Sequence, residues 1–134
     1  MTVPTVDEMQ GRIGKANERF PWIVMESDGA VCGYAYASPF RSREAYQFTV
    51  ETTVYVADDF QRQGIGSLLM DSLLARLRGL GYHAAIAGVT LPNDGSVTLH
   101  ERLGFTKVGT FSEVGRKFEQ WHDVGFWCLN FSDK

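Results

Sequence analysis

The chain has no apolar stretch of about 18 residues, the length a membrane-crossing helix needs, and no amino-terminal signal sequence. It is therefore expected to be cytoplasmic, with no membrane partner. It also has no basic run. Thirteen Lys and Arg against sixteen Asp and Glu give a net charge of −3, which argues against nucleic acid as the main partner. Only two cysteines occur, Cys32 and Cys128, with no partner spacing. Structural zinc is not expected, no metal ion is called for, and both thiols read as reduced side chains on strands. There is no internal repeat and no low-complexity segment. What remains is a soluble globular composition, 44% hydrophobic and 13% aromatic over 134 residues. That length makes one domain, residues 1–134, with a single sizeable core.

Local patterns give an element order. Thr5-Val6-Asp7-Glu8 has the form of a capping box, and Val6, Met9, Ile13 and Ala16 recur at helical spacing, so a helix is expected there, ending before Phe20-Pro21. Trp22 to Glu26 reads as a strand, Ser27-Asp28-Gly29 as a hairpin turn and Ala30 to Ala37 as the returning strand. Ser38 to Ala45 is a charged loop. Residues 48–56 alternate with a period of two. A helix follows, with Ile65, Leu68, Leu69, Ser72, Leu73, Leu77 and Leu80 on one side and glycines at its end. Ala84 to Val89 suits a buried central strand. Asp94 or Ser96 is expected to cap a short helix to Leu103. Thr106–Phe111 and Phe118–Asn130 are the last strands. The fold class is α/β (α+β), a mixed sheet carrying helices.

Between the alternating strand and its helix lies Gln61-Arg62-Gln63-Gly64-Ile65-Gly66. A strand turning through glycines into a helix leaves the first helical N–H groups unpaired and aimed at one point, where the helix dipole favours a phosphate. Arg62 adds positive charge, and the glycines allow close backbone approach. No Gly-Lys-Ser/Thr follows, so this is no Walker loop. The third glycine and the later acidic residue of a dinucleotide fingerprint are absent.

The Gln/Arg-x-x-Gly-x-Gly pattern resembles the pyrophosphate loop of the GNAT acetyltransferases. Thr49–Val56 resembles the strand before that loop. Leu91-Pro92-Asn93 through Leu103-Gly104-Phe105 resembles the family's Asn-to-Leu-Gly-Phe segment, and Trp121–Trp127 the last strand of the phosphinothricin and methionine sulfoximine acetyltransferase branch. The resemblance runs from about Thr5 to Phe131. It implies a mostly antiparallel sheet flanked by helices, lacking the usual first strand and helix, so that the strand beginning at Trp22 would be an uncovered edge. It implies acetyl-CoA as co-substrate and a small amine as acceptor, with a homodimer possible.

Site residues follow from the resemblance. Glu51 stands on the face opposite Val50 and Thr52, and a carboxylate among β-formers is costly to bury without a task or partner; a Glu here is the family's proposed general base. His122 would face the acceptor pocket, in catalysis or binding. His100 occupies a position where many relatives carry a Tyr acid, and could protonate the leaving thiolate or simply lie beside the CoA chain. Backbone groups of Val54, Tyr55 and Val56, with Asn93, would meet pantetheine; Arg62, Gln63, Gly64, Ile65, Gly66 and Ser67 would hold the pyrophosphate. Arg41, Arg43 and Tyr46 would meet the acceptor's acidic groups. Of Phe20, Trp22, Trp121, Phe126 and Trp127, most are expected in the core and one or two in the pocket. An acidic amino acid or analogue is the expected acceptor. Another amine or a protein acceptor, or a non-catalytic acyl-CoA-binding module, are the alternatives.

Overall fold

The alternating run forms the strand β4 (Thr49–Val56), and the glycine loop after it opens the helix α1 (Ile65–Gly79) in the computed structural model, which describes residues 5–9, 19–41 and 44–133. Around them lie β1 (Thr5–Met9), β2 (Trp22–Ser27), β3 (Ala30–Pro39), β5 (Ala84–Thr90), the helix α2 (Asp94–Arg102), β6 (Thr106–Lys117) and β7 (Gln120–Asn130). The strands form one sheet in the order β1-β2-β3-β4-β5-β7-β6. Every neighbouring pair is antiparallel except β4 and β5, whose parallel pairing needs the crossover that α1 supplies.

Helix α1 covers β2, β3 and β4. Its buried side chains are Ile65, Leu69, Met70, Leu73, Leu74 and Leu77. Leu68, expected inward, is exposed, because the stripe runs along positions 65, 69, 73 and 77 with 70 and 74 beside it. Ala35 and Ala37 of β3 and Val50 and Thr52 of β4 are buried on this side. At Gly33 a Cβ would lie 2.5 Å from the Tyr55 carbonyl oxygen and 3.1 Å from Leu69 Cδ1, so it is the close backbone of β4, with α1 packed behind, that requires glycine there. The hairpin turn forms as expected: Asp28 and Gly29 both have positive φ, 54° and 83°.

Two expectations are corrected at the amino-terminal side. Thr5–Met9 is a strand, not the first turn of a helix; residues 10–18 of the expected helix lie outside the described residues. The backbone of β1 pairs along β2 from Thr5–Glu26 to Met9–Trp22, and that ladder overrides the local capping signal. Consequently β2 is not an edge strand. At the other side, β6 runs longer than expected, to Lys117 instead of Phe111, while β7 begins at Gln120, two residues after the expected Phe118. Cys32 and Cys128 are both free thiols.

Candidate active site

The parallel pair parts midway. β4 and β5 are in register only from Thr49–Ala84 to Thr52–Ala87. Beyond that point β3 continues beside β4 as far as Val56, and β7 beside β5 as far as Thr90. Among the described residues, the β5-facing backbone groups of residues 53–56 therefore have no strand partner. An extended ligand carrying amides can add to such an edge as a strand would.

The glycine loop stands at the mouth of this opening. Arg62 and Gly64 take positive φ, 66° and 80°, which turns the backbone into α1. Gly64 is the N-cap and offers no side-chain cap, so the first-turn N–H groups remain available for an anion. At Gly66 a Cβ would lie 3.2 Å from Leu99 Cδ2 and 3.7 Å from Val56 Cγ2. The end of β4, the start of α1 and the middle of α2 therefore converge on one glycine. Within the loop, Gln61 Nε2 donates to the Val56 carbonyl at 3.1 Å, and Gln63 Nε2 to the Asp59 carbonyl at 3.5 Å, so Gln63 braces the turn. The Ile65 side chain is buried, which leaves its N–H as the group it can offer; Ser67 is half-buried.

The N-cap of α2 is Asn93, not Asp94 or Ser96: its Oδ1 accepts from Ser96 N–H at 3.1 Å. Its Nδ2 donors stay free of that cap and lie where α2 begins, after β5.

Glu51 is half-buried and pairs with Ser38 in register. It shares the sheet face opposite α1 with Thr53 and Tyr55. On that face Trp22 stacks on Tyr36 at 4.1 Å, and Tyr34 touches Trp22, Tyr36 and Tyr55 at 5.3–6.2 Å between ring centres. Of this aromatic row the sequence singled out Trp22 and, for its backbone alone, Tyr55; Tyr34 and Tyr36 escaped, although Tyr34-Ala35-Tyr36 carries a period-two signal. Arg41 lies over the rings of Phe40 and Tyr46 at 4.9 and 5.4 Å, so two of the three expected acceptor-binding residues meet near the end of β4 that bears Glu51. Arg43 lies outside the described residues.

His100 and His122 are separate from this group. His100 is buried in α2, edge-on to Phe105 at 5.1 Å. Its Nδ1 lies 2.9 Å from the Ser96 carbonyl. A carbonyl only accepts, so the proton sits on Nδ1 and the neutral ring presents Nε2 as an acceptor. Burial pushes its pKa down, opposed by the Ser96 hydrogen bond. Giving a proton from Nε2 would require the imidazolium, which that burial disfavours. His122 is half-buried on β7. Glu51 is level with Ile86 and so with Cys128, which puts His122 about 20 Å further along the sheet, at ~3.3 Å per residue. Within one chain the two do not meet. Trp127 is buried as expected, but Trp121 is exposed on the β6–β7 hairpin, beyond the end of β5.

A parted parallel pair offers an extended amide-bearing ligand a strand edge, the glycine turn at its mouth offers a phosphate a helix N-terminus, and residues 3–105 match the acetyltransferase (GNAT) family. The chain belongs to the GNAT acetyltransferases. It is an acetyl-CoA-dependent N-acetyltransferase by family. It is 46% identical over 127 residues to a phosphinothricin N-acetyltransferase of Streptomyces viridochromogenes, covering 95% of this chain and 69% of that protein. It is 38% identical to an L-methionine sulfoximine/L-methionine sulfone acetyltransferase of Pseudomonas aeruginosa, covering 87% and 68%. In structure it resembles yncA of Salmonella typhimurium, solved with its cofactor acetyl-CoA: TM-score 0.82, 36% identity, 87% of this chain and 68% of that one. It also resembles a phosphinothricin acetyltransferase of Sinorhizobium meliloti in complex with AcCoA, with TM-score 0.80, 37% identity and coverage of 84% and 62%. As a GNAT member the chain has the mixed, mostly antiparallel sheet that its motifs implied. Among the described residues no helix is long and apolar enough to cross a membrane.

Proposed function

We propose that this GNAT domain moves the acetyl group of acetyl-CoA to the amino group of a small acidic amino acid or analogue of the phosphinothricin kind. The observation that carries this reading is Arg41 gathered with Tyr46 beside the end of β4 that bears Glu51. A guanidinium there suits a carboxylate or phosphinate, and the carboxylate of Glu51 can take the amine proton, directly or through water. The similarity to proteins named for phosphinothricin and methionine sulfoximine supports the same acceptor class.

In this reading pantetheine lies along Val54, Tyr55 and Val56 in the parting of β4 and β5, with Asn93 as a side-chain donor. The pyrophosphate meets Arg62 and the N–H groups from Gly64 to Ser67. The neutral amine attacks the thioester carbonyl, a C–N bond forms, the C–S bond breaks, and the thiolate collects a proton. Positioning the two reactants supplies much of the rate. His100 borders the CoA side and acts there as a proton acceptor or a packing group.

The reading extends to a cytoplasmic protein that works as a homodimer. β6 is an edge strand, and its hairpin with β7 exposes Phe111, Val114, Phe118 and Trp121, an apolar surface that a second copy would cover. His122, remote from Glu51 in its own chain, lies on this hairpin. Sedimentation is expected to give twice the chain mass, and Phe118→Lys with Trp121→Lys the mass of one chain; a wild-type monomer contradicts the dimer.

The acceptor test is thiol release from acetyl-CoA against phosphinothricin, methionine sulfoximine, a polyamine and a lysine peptide. Acidic amino-acid analogues are expected to give the highest kcat/KM. A preference for the polyamine or the peptide would replace the acceptor, and CoA binding without release in any arm would make the domain a non-catalytic acyl-CoA module.

A further inference from the structure

We propose that Glu101 is a positioning residue for acetyl transfer, its bond to the Trp127 indole fixing how α2 lies against the parting of β4 and β5. The proposal rests on the acetyl-CoA reading of that parting. Helix α2 has nine residues, too few to be stable alone, and His100 is its one buried residue. What holds it must come from the sheet. Trp127 Nε1 donates to Glu101 Oε2 at 3.0 Å, which among the described residues is the side-chain hydrogen bond joining α2 to a strand.

The place of that bond gives it a task. Trp127 is in register with Ala87, the last β5 residue paired to β4 before the strands part. The indole is 1% exposed and lies so close over Gly125 that a Cβ there would meet the ring at 2.7 Å. The same Cβ would be 3.2 Å from Leu91, which leads into Asn93. Lys107 Nζ lies 5.6 Å from the ring centre. One buried indole thus links the parting, the approach to Asn93 and the far end of α2. Glu101 is also an acid in the last turn of a helix, the end where the helix dipole disfavours negative charge. Its charge is misplaced for helix stability and well placed as a strong acceptor for the indole N–H. Losing the bond frees α2 to tilt, which moves Asn93 and Leu99 relative to Gly66.

The test compares wild type, Glu101→Ala, Glu101→Gln, Trp127→Phe and the double variant Glu101→Ala/Trp127→Phe. Acetyl-CoA affinity is measured by calorimetry, and KM and kcat by thiol release. Both single losses are expected to weaken acetyl-CoA binding and raise its KM roughly fivefold to twentyfold. The acceptor KM should stay within about twofold, Glu101→Gln should recover most of the loss, and the double variant should be no worse than the singles. Glu101→Ala, an exposed change, keeps the test valid if Trp127→Phe folds poorly. Unchanged acetyl-CoA affinity in Glu101→Ala, with only a lower melting temperature, would make the bond a plain structural tie and overturn the proposal. Additive losses in the double variant would overturn it too. Wild type that binds acetyl-CoA without turnover would end the transferase reading while the affinity series still decides the role of Glu101.

Discussion

Glu51 shows how a single residue is placed by its neighbours. Val50 and Thr52 go under α1, so the carboxylate between them turns to the face shared with Tyr34, Tyr36 and Tyr55. If it is the base, Glu51→Gln should lower kcat by roughly two to four orders of magnitude and leave the acetyl-CoA KM nearly unchanged. Near-normal turnover in steady-state assays would assign it to structure. His100 makes a prediction of a different kind. Its folded pKa is lowered by burial, so below the usual value of about 6.5 the unfolded chain binds a proton that the folded chain does not. Stability is full above that pH and is lost as pH falls toward the folded value. Melting followed from pH 7.5 to 5 should show this slope in wild type and a shallower one in His100→Gln; parallel slopes would contradict it. The position of Glu51 was legible because alternation is local. The burial of His100 was not, because it depends on Phe105, which reaches it only once α2 turns back into β6.

At the scale of elements, the glycine turn and α1 were legible because their causes lie within a few residues: Gly64 at positive φ, then leucines at helical spacing. The cap of α2 was placed one or three residues late, at Asp94 or Ser96, since both of these and Asn93 have capping side chains and only geometry chooses. Asn93→Ala should cost about 0.5–2 kcal/mol in urea unfolding and also weaken CoA binding, whereas Asp94→Ala should do neither strongly. Equal effects of the two would deny Asn93 its cap. β1 was the clear failure. Its capping box is a sound local signal, and it lost to a ladder with β2 that no short window contains. The parting of β4 from β5 was equally hidden, because it is a difference between two registers and not a property of either strand.

For the whole molecule, the site is assembled from three stretches far apart in the chain: residues 53–56, the turn from Gln61 to Ser67, and the Asn93–Leu99 half of α2. Their convergence on Gly66 is what makes one site of them: a Cβ there would lie 3.2 Å from Leu99 Cδ2, tighter than ordinary packing, and 3.7 Å from Val56 Cγ2, so a large side chain would push α2 and β4 apart. Composition and motif order made the family readable; the aromatic row and the distance between His122 and Glu51 needed the sheet. Binding of a ligand to the folded chain alone must also raise its melting temperature with concentration. The most direct measurement is calorimetric titration of acetyl-CoA into wild type and into Gly66→Trp. Saturable binding of one acetyl-CoA per chain, abolished in a Gly66→Trp variant that still folds, is the predicted result. No binding by wild type, or equal binding by both, would contradict the account.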